Sequence, residues 1–491
     1  MTELTLFNSL TRQLEPFRPI HDGEARVYSC GPTVYNYPHI GNMRAYVFAD
    51  LLGRTLSWRG YRLTHVINIT DVGHLTDDAD AGEDKMERMA AARAQSIWDI
   101  ARHYTEAYWA DIRALNIREP AHWSIATDYI DAMIDFAASI EAKHCYRLKG
   151  GLYFDVSTVA DYGRLARAHT EEGEGRIEAV AGKRNAADFA IWRTTPAGET
   201  RQMEWDSPWG RGAPGWHLEC SVMSGKLLGF PFDIHTGGID HREIHHPNEI
   251  AQNQAFCGCG SLTDPVNSGA RMWLHNNFLV ERGGKMSKSA GEFLRVPLLV
   301  ERGYHPLAYR LMCLQAHYRS ELEFSWEALG AALTRLKRLV MAIAALQERA
   351  PDAGWAAWTR AAAQAQDWGK LQPAMDRFDA ALADDLGTPV ALTALEEVLA
   401  TKKVDPALKL AAATAMDGVL GLDLGRLTRA DLRLRPSSAA IGEDEITALL
   451  GQRREARAAK DFAASDALRD RLTEAGVEAM DGDPLGWEWR L

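Results

Sequence analysis

Cys30-Gly31-Pro32-Thr33 places a thiol nine residues before the histidine of Pro38-His39-Ile40-Gly41-Asn42, so one short stretch carries a soft metal ligand and a donor for anionic oxygen. Cys220 and the pair His245 and Glu249 supply further groups of metal-ligand type. On a helix, residues i and i+4 share a face, so an imidazole and a carboxylate spaced in this way can close on one ion. Two thiolates, an imidazole and a carboxylate suit zinc better than calcium, magnesium or an iron–sulfur cluster. Their wide separation is unlike the Cys-x-x-Cys pairs of a structural finger and points to a site inside a fold, with one position open to substrate. The spacing serves an alternative equally well: Cys30 and Cys220 as small buried apolar residues and His245 as a surface position. Cys257-Gly258-Cys259 reads as structural, because one intervening residue is too tight for both thiolates to chelate easily.

A second constellation follows at a distance. Lys285-Met286-Ser287-Lys288-Ser289 comes after Gly283-Gly284, which gives a pliant loop bearing two ammonium groups. Such a loop can close over an anion as charge develops on it, and each well-placed donor is worth on the order of 3 kcal/mol.

These residues need elements to hold them. Residues 26–30 read as a strand ended by Gly31-Pro32, and 43–58 carries apolar residues at helical spacing. Strand, loop and helix N-terminus form the usual platform for phosphate, where free N–H groups and the helix dipole meet anionic oxygen. Residues 63–69 read as a second strand, so the unit is β-α-β and the sheet parallel. An acidic loop at 71–85 precedes helical patterns at 86–117 and 126–143. Its acidic run reads as solvated rather than as a calcium site, which needs tighter spacing with glycine at the turn. From 151 to about 214 the pattern is Gly-rich and strand-like, with strands at 152–156 and 188–192, and looks inserted between two halves of one sheet, which resumes at 232–235. Residues 306–346 and 371–422 read as helical, 433–442 as a linker and 445–475 as helical again, ending near Trp487 and Trp489.

The chain has 491 residues, 46% hydrophobic and 25% charged, which is ordinary for a soluble globular protein of two to four domains. No apolar run approaches the roughly eighteen residues of a membrane span, and the N-terminus lacks the basic-then-apolar order of a secretory signal. Six scattered cysteines do not make a disulfide framework. A cytosolic protein is expected. The net charge of -12 argues against broad non-specific nucleic-acid binding but leaves room for a local basic surface. Arg335, Lys337 and Arg338 on one helix, and Arg453, Arg454, Arg457 and Lys460 on another, are candidates, with ordinary solvated helix faces as the alternative.

The two signatures together resemble those of class I aminoacyl-tRNA synthetases, and three segments resemble the cysteinyl-tRNA synthetase family in particular. These are Cys-Gly-x-Thr-Val-Tyr from Cys30, Gly-Trp-His-x-Glu-Cys ending at Cys220, and His-His-x-Asn-Glu from His245. The resemblance covers nearly the whole chain, including His317-Tyr318-Arg319-Ser320 and residues 458–466. It implies an α/β fold: a Rossmann-like parallel-sheet catalytic domain in two halves (20–115 and 215–270) with a connective insertion (116–214). A signature-loop and stem-contact region (271–325), a helical anticodon-binding bundle (326–432) and a small C-terminal tRNA-contacting module (443–491) would follow.

The resemblance also implies roles. Zinc would be held by Cys30, Cys220, His245 and Glu249 and would bind the substrate sulfur, a distinction that serine's hydroxyl cannot reproduce. Gly31, Thr33, Trp216, His235 and Asp240 would line the amino-acid site. His39, Gly41, Asn42, Gly238, Asp240 and Lys288 would bind ATP with Mg2+, and His39, Asn42, Lys285 and Lys288 would be catalytic. Asn42 departs from the histidine that ends the family's commonest first signature, and Ala290-Gly291-Glu292 departs from Leu-Gly-Asn. The implied activity is formation of cysteinyl adenylate and pyrophosphate from L-cysteine and ATP, then transfer to tRNA(Cys), by a cytoplasmic monomer. Two alternatives remain: a cysteine ligase of mycothiol biosynthesis with an amino-sugar acceptor, and a non-enzymatic synthetase-like tRNA-binding protein.

Overall fold

Along residues 24–29, Val27 faces one side and Tyr28 the other, and both are buried. A strand apolar on both faces belongs inside a sheet covered by helices. The computed structural model describes residues 2–72, 96–166, 182–258, 260–281, 284–285 (backbone), 294–355, 358–481 and 483–491, and places this strand at the centre of such a sheet.

Strand β1 (Glu24–Ser29) is followed by α1 (Ile40–Trp58), β2 (Arg62–Ile69), α2 (Ile97–Ala114) and β3 (His122–Ile125). Helix α3 (Ile130–His144) leads into an inserted antiparallel sheet of β4 (Cys145–Leu148), β5 (Gly151–Phe154), β6 (Phe189–Thr194) and β7 (Gly212–Pro214), neighbours in that order. The chain returns through α4 (Trp216–Leu228), β8 (Phe232–Gly238), α5 (His245–Phe256) and β9 (Ala270–Asn276). The main sheet has the order β9-β8-β1-β2-β3, with every pair parallel. Strand order therefore reverses between β8 and β1, and ligands of open parallel sheets bind in the crevice beyond the carboxyl ends at that point.

Two layers cover the sheet. Leu52, Leu56, Tyr104 and Tyr108 of α1 and α2 pack with Val27 and Ile234, while Met133, Leu218 and Ile250 of α3, α4 and α5 pack with Tyr28 and Trp273. The sheet extends past the sequence-based limits: β3 lies in the segment assigned to the insertion, and β9 beyond residue 270 lies in the signature-loop segment. Both are edge strands, and the four residues of β3 are too few to carry a clear alternation. The acidic run at 77–84 and the start of the helix expected at 86–117 lie outside the described residues.

The remainder is mainly helical: α6 (Pro306–Leu314), α7 (Trp326–Arg349), α8 (Gln372–Ala383), α9 (Thr388–Ala400) and α10 (Pro406–Leu420). The segment 306–346 is mostly helical as expected, in two helices, and the turn between α6 and α7 is tied to the bundle. Tyr318 donates to Asp385 Oδ1 at 2.6 Å and Arg319 Nε to Asp385 Oδ2 at 2.6 Å. A second tie is buried: Arg310 of α6 donates to Asp50 Oδ2 of α1 at 2.6 Å and to the backbone oxygens of Leu115 and Leu420. Helices α11 (Glu443–Ala458) and α12 (Phe462–Glu474) pack with a two-stranded ribbon, Val477–Ala479 against Trp487–Trp489. Several cations considered for phosphate contact are already partnered. Arg335 meets Glu396, Lys337 meets Glu488, and Arg453 and Arg457 meet Asp481.

Candidate active site and metal centre

At the switch point between β8 and β1 lies a pocket of about 330 Å³, lined at one end by Cys30, Trp216, Cys220 and His245 and at the other by His39, Gly41 and Asn42. Gly31, Thr33, Gly238 and Asp240 line it between them. Cys30 follows β1 directly, Cys220 sits in the second turn of α4, and His245 and Glu249 share one face of α5.

The ligand atoms of Cys30, Cys220, His245 and Glu249 all lie within 4.8 Å of one another, and all four residues are buried. The ligand atoms of Cys30, His235, His246 and Glu249 also lie within 4.8 Å of one another. The first set is the better fit, because three of its members face the pocket and the other histidines brace it from behind. His235 Nε2 donates to Glu249 Oε2 at 2.9 Å. His217 Nδ1 lies 3.0 Å from His245 Nδ1, which leaves His245 Nε2, 3.0 Å from Glu249 Oε1, as the ligand atom. His246 Nε2 stands 3.3 Å from Cys30 Sγ and is carried in turn by His275 and Ser9. Outer partners of this kind fix the tautomer and direction of metal ligands.

Electrostatics tell the same story. Burial alone would push the Glu249 carboxyl up, yet the imidazoles of His235 and His245 hold it at about 2. Burial works against charging His245, but Glu249 and Cys220 raise it to about 10. The hydrogen bond with Cys30, helped by His245, brings the Cys220 thiol down to about 6 against the pull of burial, while burial and Cys220 push Cys30 well up.

At the phosphate end, His39 caps α1. Its Nδ1 accepts from the Asn42 N–H at 3.1 Å, and Asn42 Oδ1 accepts from the His39 N–H at 3.2 Å, a reciprocal capping box. Because Nδ1 accepts, the ring proton is on Nε2. Asn42 thus fixes the orientation of the His39 ring. Gly41 has a reason beyond close approach of a nucleotide: a Cβ there would lie 2.9 Å from His39 Cε1 and Nδ1. Gly31 likewise has no space for a side chain, since its Cβ would overlap the Asn68 carbonyl oxygen at 1.6 Å.

Other placements follow. The Trp216 ring lies 4.2 Å from that of His245. His235, expected in the amino-acid site, is fully buried behind Glu249, stacked on Trp273 at 4.4 Å, and does not line the pocket. Strand alternation turns it onto the face covered by α5. Lys285 pairs through its backbone with Val280, and Lys288 lies outside the described residues. Sequence reasoning missed His217, His246, His275, Asn68 and Thr70. His217 and His246 lie inside the quoted motifs, so the clustering of histidines there was the available signal.

Parallel sheet, switch-point pocket and helix N-terminus together form a nucleotide-binding type of α/β core, and its family makes it the catalytic core of a class I aminoacyl-tRNA synthetase. Solved structures agree at the level of fold: a methionyl-tRNA synthetase of Mycobacterium tuberculosis bound by methionyl-adenylate superposes with a TM-score of 0.52 over 81% of this chain and 90% of that one, at 16% identity. The Agrobacterium radiobacter K84 agnB2 LeuRS in a ternary complex with tRNA and LeuAMS gives 0.56 over 95% of each, at 12% identity. Residues 16–334 match the family described as "tRNA synthetases class I (C) catalytic domain", and 443–490 match "Cysteinyl-tRNA ligase anticodon binding domain". The cysteine–tRNA ligase of Novosphingobium aromaticivorans is 74% identical over 99% of this chain and 97% of its own, and that of Zymomonas mobilis 56% identical over the same shares. The chain belongs to the cysteinyl-tRNA synthetase family.

Proposed function

We propose that this pocket activates L-cysteine with ATP and passes the cysteinyl group to tRNA(Cys). The observation that carries the reading is the opening of a thiolate-rich cluster and of the His39-capped end of α1 into one pocket. Cys30, Cys220, His245 and Glu249 would hold zinc, which when bound supplies a soft Lewis acid for the substrate thiolate.

The chain's own residues do the rest. Trp216 packs over the His245 end and limits the size of the side chain admitted there. Asp240 offers a carboxylate to the substrate ammonium or the ribose, and Gly238 leaves room for adenosine. His39, held by Asn42, presents Nε2–H toward phosphate oxygen, and the free N–H groups of the first turn of α1 add to it. Lys285 and Lys288 would meet the pyrophosphate, with Mg2+ accompanying ATP. The cysteine carboxylate then attacks the α-phosphorus, forming the mixed anhydride and expelling pyrophosphate, and the terminal ribose hydroxyl of the tRNA takes the acyl group while AMP departs. Positioning and electrostatic stabilisation account for most of the acceleration. The matched C-terminal module favours tRNA over an amino sugar as acceptor. In a cytoplasmic enzyme acting as a monomer, one chain would hold one complete site.

Cysteine-dependent ATP–pyrophosphate exchange, run beside cysteine attachment to tRNA and to glucosaminyl inositol, tests this. Exchange with tRNA charging is expected. Exchange without it would refute the acceptor, and equal exchange with serine would refute selection by sulfur.

A further inference from the structure

Cys30 and Cys220 come from different layers of the fold, so something must fix the distance between them. The residue after Cys30 and the residue before Cys220 are joined by three side-chain hydrogen bonds in series. Gly31 N–H donates to Asn68 Oδ1 at 2.7 Å, Asn68 Nδ2 donates to Thr70 Oγ1 at 3.1 Å, and Thr70 Oγ1 donates to Glu219 Oε2 at 2.9 Å. Asn68 and Thr70 are 2% exposed and Glu219 is fully buried, with its Oε1 unpartnered among the described residues. A buried carboxyl with one unsatisfied oxygen is costly and needs a reason to persist. The backbone runs parallel to this line, with the Thr70 N–H donating to Pro32 O and the Val34 N–H to Thr70 O.

On the reading that Cys30 and Cys220 bind one ion, we propose that Glu219, Thr70 and Asn68 are positioning residues that set the spacing of the two thiolates. Thr70 is the central member, both donor and acceptor, and each end of the line lies one residue from a ligand. None of the three supplies a ligand atom. Their effect is to hold the turn after β1 against the first turn of α4, so that the ion meets a preformed pair of sulfurs.

Thr70→Val keeps the volume and removes both bonds, and Thr70→Ser restores them. Zinc affinity is read by competition with a chromophoric chelator, and the thiolate-to-metal charge-transfer band by loading with Co2+. Thr70→Val is expected to weaken zinc by about tenfold, the lower end of the effect of losing a partner bonded directly to a ligand, and to shift the band. Thr70→Val also leaves the Glu219 carboxyl and the Asn68 amide without these partners, so the metal-free protein should unfold at lower urea, and Thr70→Ser should restore stability, zinc affinity and the band together. If Thr70→Val fails to fold, Glu219→Gln, which keeps an acceptor oxygen, should bind zinc like the parent, and Glu219→Leu should not. Parental affinity in Thr70→Val, or equal affinity in the two Glu219 variants, would overturn the brace alone. A parent chain that takes up no zinc would overturn the ion-binding reading with it.

Discussion

Gly41→Ala sets two effects of opposite sign against each other. Alanine in place of glycine in a helix is favourable by up to about 1 kcal/mol. The added Cβ, however, would lie 2.9 Å from Cε1 and Nδ1 of His39, well inside the roughly 3.5–4.0 Å of a good carbon contact. The ring can give way only by releasing the Asn42 N–H, at 3.1 Å, and a lost N-cap costs about 0.5–2 kcal/mol. The two terms nearly cancel, so urea unfolding should place the variant within about 1 kcal/mol of the parent. Activity should behave differently, because a displaced His39 no longer aims its donor at phosphate. Loss of one such donor costs on the order of 3 kcal/mol, about a hundredfold or more in rate. Cysteine-dependent pyrophosphate exchange reads this, and a double-mutant cycle with His39→Ala separates the causes. If glycine serves the ring, Gly41→Ala adds little on the His39→Ala background. A full second loss there would mean that Gly41 serves the nucleotide directly, and exchange within threefold of the parent in the single variant would refute the reasoning outright.

Cys220→Ser should weaken zinc by roughly 70- to 900-fold, taking one of four ligands as roughly a quarter of the 10–16 kcal/mol typical of a bound zinc, and should lose cysteine binding with it while ATP binding stays within about twofold. Zinc binding should release protons: at pH 7 the Cys30 thiol is raised and His245, at about 10, is charged, so two protons leave and the Kd should rise about a hundredfold per unit fall in pH. Below about pH 6, where Cys220 also takes up a proton, the slope should steepen, as titration calorimetry in buffers of different ionisation enthalpy will measure. Asp50 is held at about 2, below its ordinary 3.8, because the guanidinium groups of Arg310, Arg54 and Arg118 outweigh its burial. A depressed carboxylate stabilises the fold above its unfolded pKa, so roughly 2 kcal/mol should be present above pH 4 and lost as pH falls towards 2. Asp50→Asn, which strands Arg310 in the core, should cost about 3–5 kcal/mol in urea unfolding at pH 7.

The convergence of Cys30, Cys220, His245 and Glu249 was legible because each lies in a local segment with its own signature, and the β-α-β unit because its strands and helix are long enough to show their periods. His235 was misplaced for a geometric reason: it stands near a strand end by sequence, but alternation along β8 sends Ile234 to the α1 side and His235 to the α5 side. The break between α8 and α9 was not legible either. Asp385 and Leu386 hold positive φ angles of 50° and 60° without being glycine, and that conformation is sustained by Tyr318, Arg319 and the backbone of Phe7, all remote in sequence. The histidines behind the Cys30, Cys220, His245 and Glu249 cluster share this property. His275 and Ser9 matter only because β9 and the N-terminal segment come together in the fold.

Cysteine has a single methylene between its sulfur and its α-carbon, so the groups that select the sulfur must stand close to those that activate the carboxylate. The fold meets that demand where its strand order reverses. Cys30 packs with the α4 and α5 layer, whereas Val34 and Ile40 pack with the α1 layer, so residues 30–40 cross from one face of the sheet to the other over the carboxyl end of β1. Cys220, His245 and Glu249 approach from one layer and His39 from the opposite one, and this crossing is the covalent path between them. Gly31, pinned against Asn68, and Gly41, tucked beneath the His39 ring, mark its two ends. A glycine at each end follows from the packing: at Gly31 a Cβ would overlap the Asn68 backbone oxygen, and at Gly41 it would press on the His39 ring, while lengthening the crossing by a residue would move the Cys30 thiol relative to the N-terminus of α1.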